Sequence, residues 1–382
     1  MPASAIPATD PALIAGPEAH PALTGVPRVL VHQNLSILRN ARLHRVLALA
    51  GHELRFGLPR PGEGVLVWGA SPTAWRGERL AARHGLPLIR VEDAFLRSVH
   101  PGRARGEPAM GYLIDPEGVH FDSRRPSRIE RILSSADFQN SNISGEVRAL
   151  IDCVIEHDLS KYNNHDPDLA PPEPGYVLLV DQSVGDASIR LGGATAATFR
   201  SMFETALRDH PDRRIVIRSH PETAAGLRPG HFGPGDAGGR VTLVTAPVSP
   251  HRLLAGAVEV YAVTSQLGFE AILHGHRPRI FGQPFYAGWG LSRDEQPLPR
   301  RTRRLTREEL FAGAMLLAPL WHDPCRDRLC GLEEVIHQLA AEARAFREDR
   351  RGHVAAGMRL WKRPRLQAVF GGTRALRFRD DP

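Results

Sequence analysis

The segment from Thr264 to Gly290, TSQLGFEAILHGHRPRIFGQPFYAGWG, places hydroxyls, an amide and a carboxylate where a strand gives way to a helix. Thr264 or Ser265 can cap that helix, whose free backbone N–H groups and positive dipole end then hold a phosphate or another anion. Glu270 falls about one and a half turns further on, where its carboxylate reaches sugar hydroxyls. The same spacing fits a capped core helix with a buried glutamate, so residue types alone leave both readings open.

Three more polar groups follow apolar runs in the same way: Glu92 with Asp93, the stretch from Asp181 to Asp186, and His220 with Pro221. Ligands of open α/β sheets bind beyond the carboxyl ends of the strands, so four such placements favour a cleft enzyme. The runs that must position them read as buried parallel strands: Val29 to His32, Val65 to Trp68, Leu88 to Val91, Tyr176 to Val180, Ile215 to Arg218, Val241 to Val244, Val258 to Val263 and Arg279 to Gly282. Helix-period segments lie between many of them, at Leu35 to Ala50, Thr73 to Gly85, Ala197 to His210 and Ser249 to Ala255. This alternation predicts an α/β fold of two Rossmann-like, doubly wound domains facing across a cleft.

The expected organisation is a disordered lead over 1–26, a first domain over 27–162, a proline-rich linker over 163–175 and a second domain over 176–320. Helices returning to the body follow over 321–349, then a basic tail over 350–382. The tail mixes Arg and Lys with Met358, Leu360, Trp361, Leu366 and Phe370. It reads as an interfacial helix on acidic lipid, a linker or a docked helix, with the last two favoured.

Apolar content of 42% supports real cores, and a formal charge of +7 with a pI near 9.9 points to an anionic partner. Three cysteines without paired spacing support neither a disulfide framework nor a zinc site, and a reducing cytoplasm fits best. The first 26 residues contain no Lys or Arg and do not read as a signal peptide. No window approaches the roughly 20 apolar residues of a membrane span, so membrane contact is expected to be peripheral. The triplet Asp166-Pro167-Asp168 lies in the proline-rich break and makes a poor nucleotide–metal site, so neither metal nor other cofactor is expected.

Five motifs occur in order: VEDAFLRS from Val91, GYLIDPEGVHFDSRRPS from Gly111, LLVDQSVGDASI from Leu178, RSHPE from Arg218 and TSQLGFEAILHGHRPRIFGQPFYAGWGLSRD from Thr264. With these the chain resembles the KpsC-type capsule polysaccharide biosynthesis family over roughly Val29 to Pro324, as a single module. The tail GMRLWKRPRLQAVF is similar to the segment that joins the two modules of longer members. Ala94 stands where the family has glycine, and His120 and Ser123 stand where Tyr and Ala are common.

The resemblance implies a GT-B-like retaining transferase that moves β-Kdo from CMP-Kdo to a lipid-linked glycan acceptor. Its partners would be the capsule biosynthesis and export machinery at the inner face of the inner membrane. Net retention by two displacements needs a carboxylate against the anomeric carbon. The resemblance assigns that nucleophile to Asp186, whose local sequence equally fits a helix N-cap. Glu92 is the implied acid/base in the acceptor domain, with Asp93 its rival and either one a partner of Arg97. Arg218 and His220 suit the CMP phosphate or the sugar carboxylate. Ser265 and Gln266 complete the phosphate site, Glu270 holds ribose hydroxyls and Asp181 orients the nucleophile's loop. Tyr286 and Trp289 form either a stacking wall for cytosine or sugar, or a packed turn. A noncatalytic assembly or export component that binds acidic glycan is the competing reading. Nucleic acid ranks last, since the basic residues lack interleaved stacking motifs.

Overall fold

The computed structural model describes residues 20–102, 106–138 and 141–380. Two β-sheets carry the chain. The first is built from β1 (Val29–His32), β2 (Glu53–Phe56), β3 (Gly64–Trp68), β4 (Leu88–Asp93) and β5 (Gly111–Asp115). The second uses β6 (Tyr176–Val180), β7 (Ile215–Arg218), β8 (Val241–Val244), β9 (Ala257–Ala262), β10 (Arg279–Ile280) and β11 (Arg293–Asp294). Then β12 (Pro319–Asp323) and β13 (Arg328–Cys330) return to the first sheet, whose order is β13-β12-β5-β4-β3-β1-β2. The second sheet runs β11-β10-β9-β6-β7-β8 with every pair parallel.

These are the two Rossmann-like halves that the alternation of apolar runs predicts. All five residues of YVLLV in β6 are buried, as a central parallel strand covered on both faces requires. One continuous core runs through both halves and includes Phe95, Leu133, Leu178, Phe269, Trp289 and Trp321. Separate clusters back each sheet on its outer side, around Leu43 and Ile89 in one half and Phe199 and Ile217 in the other.

Three expectations are corrected. The segment from Leu35 to Ala50 is two helices, Leu35–Leu38 and Ala41–Leu49, because Asn34 and Asn40 each turn a side-chain oxygen onto following backbone amides at 2.7 and 3.0 Å and start a new helix. Residues 321–349 are not all helical. β12 lies antiparallel to β5, and the one long helix is Leu332–Asp349. Gly111 makes this possible, since a Cβ there would stand 2.4 Å from the Trp321 ring.

The disordered lead reads too far. Residues 1–19 lie outside the described residues, but Pro21–Leu23 form a helical turn whose Ala22 and Leu23 are buried. The buried Arg128 guanidinium donates to the carbonyls of Pro21, Ala22 and Thr24. The break at 163–175 is likewise tied in. Asn163 is fully buried and its side-chain amide donates to Ser98 O at 2.9 Å and Ser160 O at 3.0 Å.

In the tail, Val354–Ala356 pairs in parallel with Arg377–Arg379 across the helix Arg363–Phe370, while Leu360 and Trp361 are exposed. Among the described residues no helix is long and apolar enough to cross a membrane.

Candidate active site

The carboxyl ends of β4, β6, β7 and β9 bring side chains of both halves together. Glu92 is the penultimate residue of β4 and points to Gly69, just past β3, where a Cβ would stand 1.6 Å from Glu92 Oε1. Burial pushes its pKa up to about 8, and the charges of Asp93 and Asp186 add to the rise against a counteracting pull from Lys161. Glu92 therefore holds a proton at neutral pH and gives it up just above, the range suited to an acid/base. Asp93 is not a rival for that role, because its carboxylate is taken by the Arg97 Nε at 2.6 Å. Arg97 in turn donates to Ser98 Oγ at 2.7 Å, so this pair braces the loop after β4 and is not free to bind substrate.

Asp186 caps the helix Ala187–Leu191, accepting from the Ser188 backbone N–H at 2.9 Å. One carboxylate oxygen makes that bond, and the side chain is only half-buried. Its charge acts on Glu92, on Lys161 and on His220, which puts it at the meeting point of the two halves. The cap reading of Asp186 is what the structure shows, and its second carboxylate oxygen is left without a hydrogen bond among the described residues.

His220 follows β7 and caps the short helix Pro221–Ala224, its Nδ1 accepting from the Glu222 N–H at 3.2 Å and lying 3.1 Å from Ser183 Oγ. Burial, then the neighbouring Arg218 charge, pull its pKa down to about 4. The expected charge-assisted histidine is therefore a neutral ring, with Nε2–H as its free donor. The positive charge here belongs to Arg218, which makes no salt bridge within 4.0 Å among the described residues. Burial lowers its pKa and the Glu270 carboxylate counters that.

Ser265, not Thr264, caps the helix Gln266–Leu273. Thr264 is bound through its hydroxyl and its N–H to Gln182, which ties the β6 and β9 loops together. Gln266 donates to Phe95 O at 2.9 Å across the two halves. Glu270 departs from expectation: it is buried, and its oxygens accept from Ser160 Oγ at 2.8 and 2.9 Å and from Gln266 at 3.1 Å. It ties the segment just before the linker to the second half. Asp181 is sealed from solvent, accepts from the backbone N–H groups of Gln182, His231 and Phe232, and is raised to about 6 by burial; it shapes the loop and does not face the cleft. Tyr286 and Trp289 are fully buried and bond to Ser265 O at 2.6 Å and Phe285 O at 2.8 Å, so they are the packed turn.

Sequence reading missed Lys161. It stands in the linker's approach, with Arg97 and Ser98 donating backbone N–H groups to its carbonyl, and its ammonium answers to Glu92, Asp93 and Asp186. The signal was available: Lys161 and Lys362 are the two lysines of the chain, and arginine supplies the other 47 of 49 basic residues. An open groove of about 490 Å³ is lined by Ser71, Trp75, Arg90 and Arg124 of the first half together with Arg190 of the second. Among the described residues no group of His, Cys, Asp and Glu is arranged to hold a metal ion. The triplet Asp166-Pro167-Asp168 is occupied by Arg350 and Arg351.

A family model described as capsule polysaccharide biosynthesis protein matches residues 63–171 and 166–322, which take in every cleft residue above. The chain belongs to that capsule polysaccharide biosynthesis family. It is 38% identical over 324 residues to the capsule polysaccharide modification protein LipA of Neisseria meningitidis serogroup B, covering 81% of this chain and 46% of LipA. It is 33% identical over 285 residues to the lipopolysaccharide-processing protein LpsZ of Rhizobium meliloti, covering 73% of this chain and 64% of LpsZ. The chain thus spans about half the length of LipA. Among solved structures, Thermosulfurimonas dismutans KpsC, beta Kdo 2,4 transferase, superposes with a TM-score of 0.76 at 33% identity over 83% of this chain and 99% of that one. A second KpsC chain from the same organism, beta Kdo 2,7 transferase, shares the fold at TM-score 0.63 and 24% identity.

Proposed function

We propose that this family member is a retaining β-Kdo transferase of GT-B type, taking Kdo from CMP-Kdo to a lipid-linked acceptor in capsule assembly at the inner face of the inner membrane. The likeness to a solved β-Kdo transferase supports the sugar, and the cleft supports the chemistry. The observation that carries the reading is that Glu92, at the end of β4 in one half, is held protonatable by burial and lies within reach of the charge of Asp186, the helix cap after β6 in the other.

In the first step an Asp186 oxygen attacks the anomeric carbon, and the bond to the phosphate oxygen breaks with its electron pair leaving on CMP. Arg218, the His220 Nε2–H and the helix N-terminus at Ser265 receive that phosphate charge. In the second step Glu92, as carboxylate, takes the proton of an acceptor hydroxyl while its oxygen displaces Asp186. Two inversions leave the configuration retained. The groove past Trp75 and Arg190 is the route for the acceptor.

Purified protein incubated with CMP-Kdo and a phospholipid-linked Kdo acceptor should yield an acceptor one Kdo heavier, joined in β configuration. Folded protein that binds neither CMP nor CMP-Kdo overturns the reading.

A further inference from the structure

At the strand ends two cations lack a salt-bridge partner within 4.0 Å among the described residues, Arg218 and Lys161; Arg190, further out in the groove, also lacks one. The others are committed. Arg97 holds Asp93, and Arg228 bonds to Val184 O and lies 3.5 Å from Glu222. The two at the strand ends stand apart in kind and place. Arg218 ends β7 beside His220, on the side of the phosphate-binding helix start. Lys161 lies just before the linker: its carbonyl is held by the Arg97 and Ser98 N–H groups of the loop after β4, and its neighbour Ser160 bonds to Glu270 of the helix Gln266–Leu273. Its ammonium feels the charges of Glu92, Asp93 and Asp186, on the side where the proposed mechanism puts the sugar ring.

A CMP-ulosonate presents two anions, the phosphate and a carboxylate attached directly to the anomeric carbon. Whatever holds the phosphate cannot also reach that carboxylate once the anomeric carbon faces Asp186. We propose that Lys161 is the specificity residue for the donor's sugar carboxylate, so that the cleft takes an acidic ketose and discriminates against neutral sugars. This assignment rests on the donor-binding part of the Kdo-transferase reading of the same cleft.

The choice of lysine in an arginine chain has a physical reason. A guanidinium is a flat fork that pairs bidentately with a single carboxylate. An ammonium is a compact point charge with three donors, able to address carboxylates on several sides at once. The charges of Glu92 and Asp93, from β4, and of Asp186, from the loop after β6, all act on the ammonium, though no carboxylate of the described residues comes within 4.0 Å of it. Its charge is felt in turn by His120 and His220, and Tyr162 lies 5.8 Å from Nζ to ring centre. Burial works against the charge of Lys161, and Tyr162, Asp93, Glu92 and Asp186 outweigh it, so the pKa stands above the usual lysine value and the ammonium persists throughout the working pH range.

Calorimetry with CMP and with CMP-Kdo on wild type, Lys161→Met and Lys161→Arg tests this without requiring turnover. Lys161→Met should bind CMP as wild type does and lose at least tenfold in affinity for CMP-Kdo. Where transfer is measured, its KM should rise by a similar factor. The alkaline midpoint of the pH profile should move above that of wild type, since the cation that holds the Glu92 proton affinity down is gone. Lys161→Arg should restore the midpoint and not the affinity. Unchanged CMP-Kdo affinity in Lys161→Met, or an equal loss for CMP, overturns the assignment. Wild type that prefers CMP-Kdo over CMP yet transfers nothing would sink the transferase reading and leave this one standing.

Discussion

The α-carbon of Gly69 lies so near the Glu92 carboxylate that a methyl group there would stand 1.6 Å from Oε1. The glycine also has a φ of +37°, which side chains rarely adopt. Space for Glu92, the proposed acid/base, is therefore set by a residue on the neighbouring strand's loop. Gly69→Ala should push Glu92 out of place, lowering kcat at least 100-fold and costing about 1–3 kcal/mol of stability. Kinetics beside urea melts would check this, and a wild-type kcat would show that Glu92 is not needed where it stands.

With its pKa near 8, Glu92 is a poor base at pH 6 and a good one at pH 9. Acceptor transfer should rise with pH to a midpoint near 8 and then level. Glu92→Gln should lose the limb and most of the rate, by about 10²–10⁴-fold.

The same group makes a claim on stability. Its folded pKa lies above the unfolded carboxylate value of 4.5, so its contribution is full below 4.5 and is lost as pH rises through 8. Thermal melts should therefore show Glu92→Gln gaining on wild type between pH 5 and pH 9. A constant difference across that range would contradict the burial of the charge.

Cap and nucleophile can be separated at Asp186. Asparagine is as good an N-cap as aspartate and has no nucleophilic oxygen, whereas alanine loses both and costs about 1 kcal/mol. Asp186→Asn should keep the wild-type melting temperature and lose transfer by three orders of magnitude or more, on the scale of removing any covalent catalyst. Mass spectrometry of Glu92→Gln with CMP-Kdo should trap a Kdo adduct on Asp186, because glycosylation needs no base and release does.

Glu130 anchors the joint between halves: Arg301 donates to it at 2.8 and 3.0 Å, and Arg300 adds a second pair. The pair with Arg301 is almost wholly buried. Glu130→Ala leaves that guanidinium uncompensated and should cost about 3–5 kcal/mol in urea unfolding, while adding Arg301→Met should recover part of the loss.

Much of the second half was legible because its strands are short aliphatic runs covered on both faces, and Tyr176–Val180, Ile215–Arg218 and Val241–Val244 match residue for residue. The first half hid two kinds of element. β5 and β12 run antiparallel to their neighbours and have no crossover helix to announce them, and Asn40 interrupts a helix whose apolar period continues past it. At the site, strand-end carboxylates could be picked out, but their division of labour could not. Asp93, Asp181 and Glu270 have the same chemistry as Glu92 and Asp186, and only their partners, Arg97, backbone amides and Ser160, set them aside as braces. Lys161 escaped notice because its neighbours in space, Glu92 and Asp186, are 69 and 25 positions away in sequence.

Since Pro319–Asp323 closes the edge beside Gly111–Asp115, the first sheet waits for residues made some two hundred positions after its own strands. A ribosome delivers the entire second sheet before the first can be finished. The emerging chain therefore carries an open edge through most of its synthesis, and fragments split at the linker would leave the amino-terminal piece without its outermost strands.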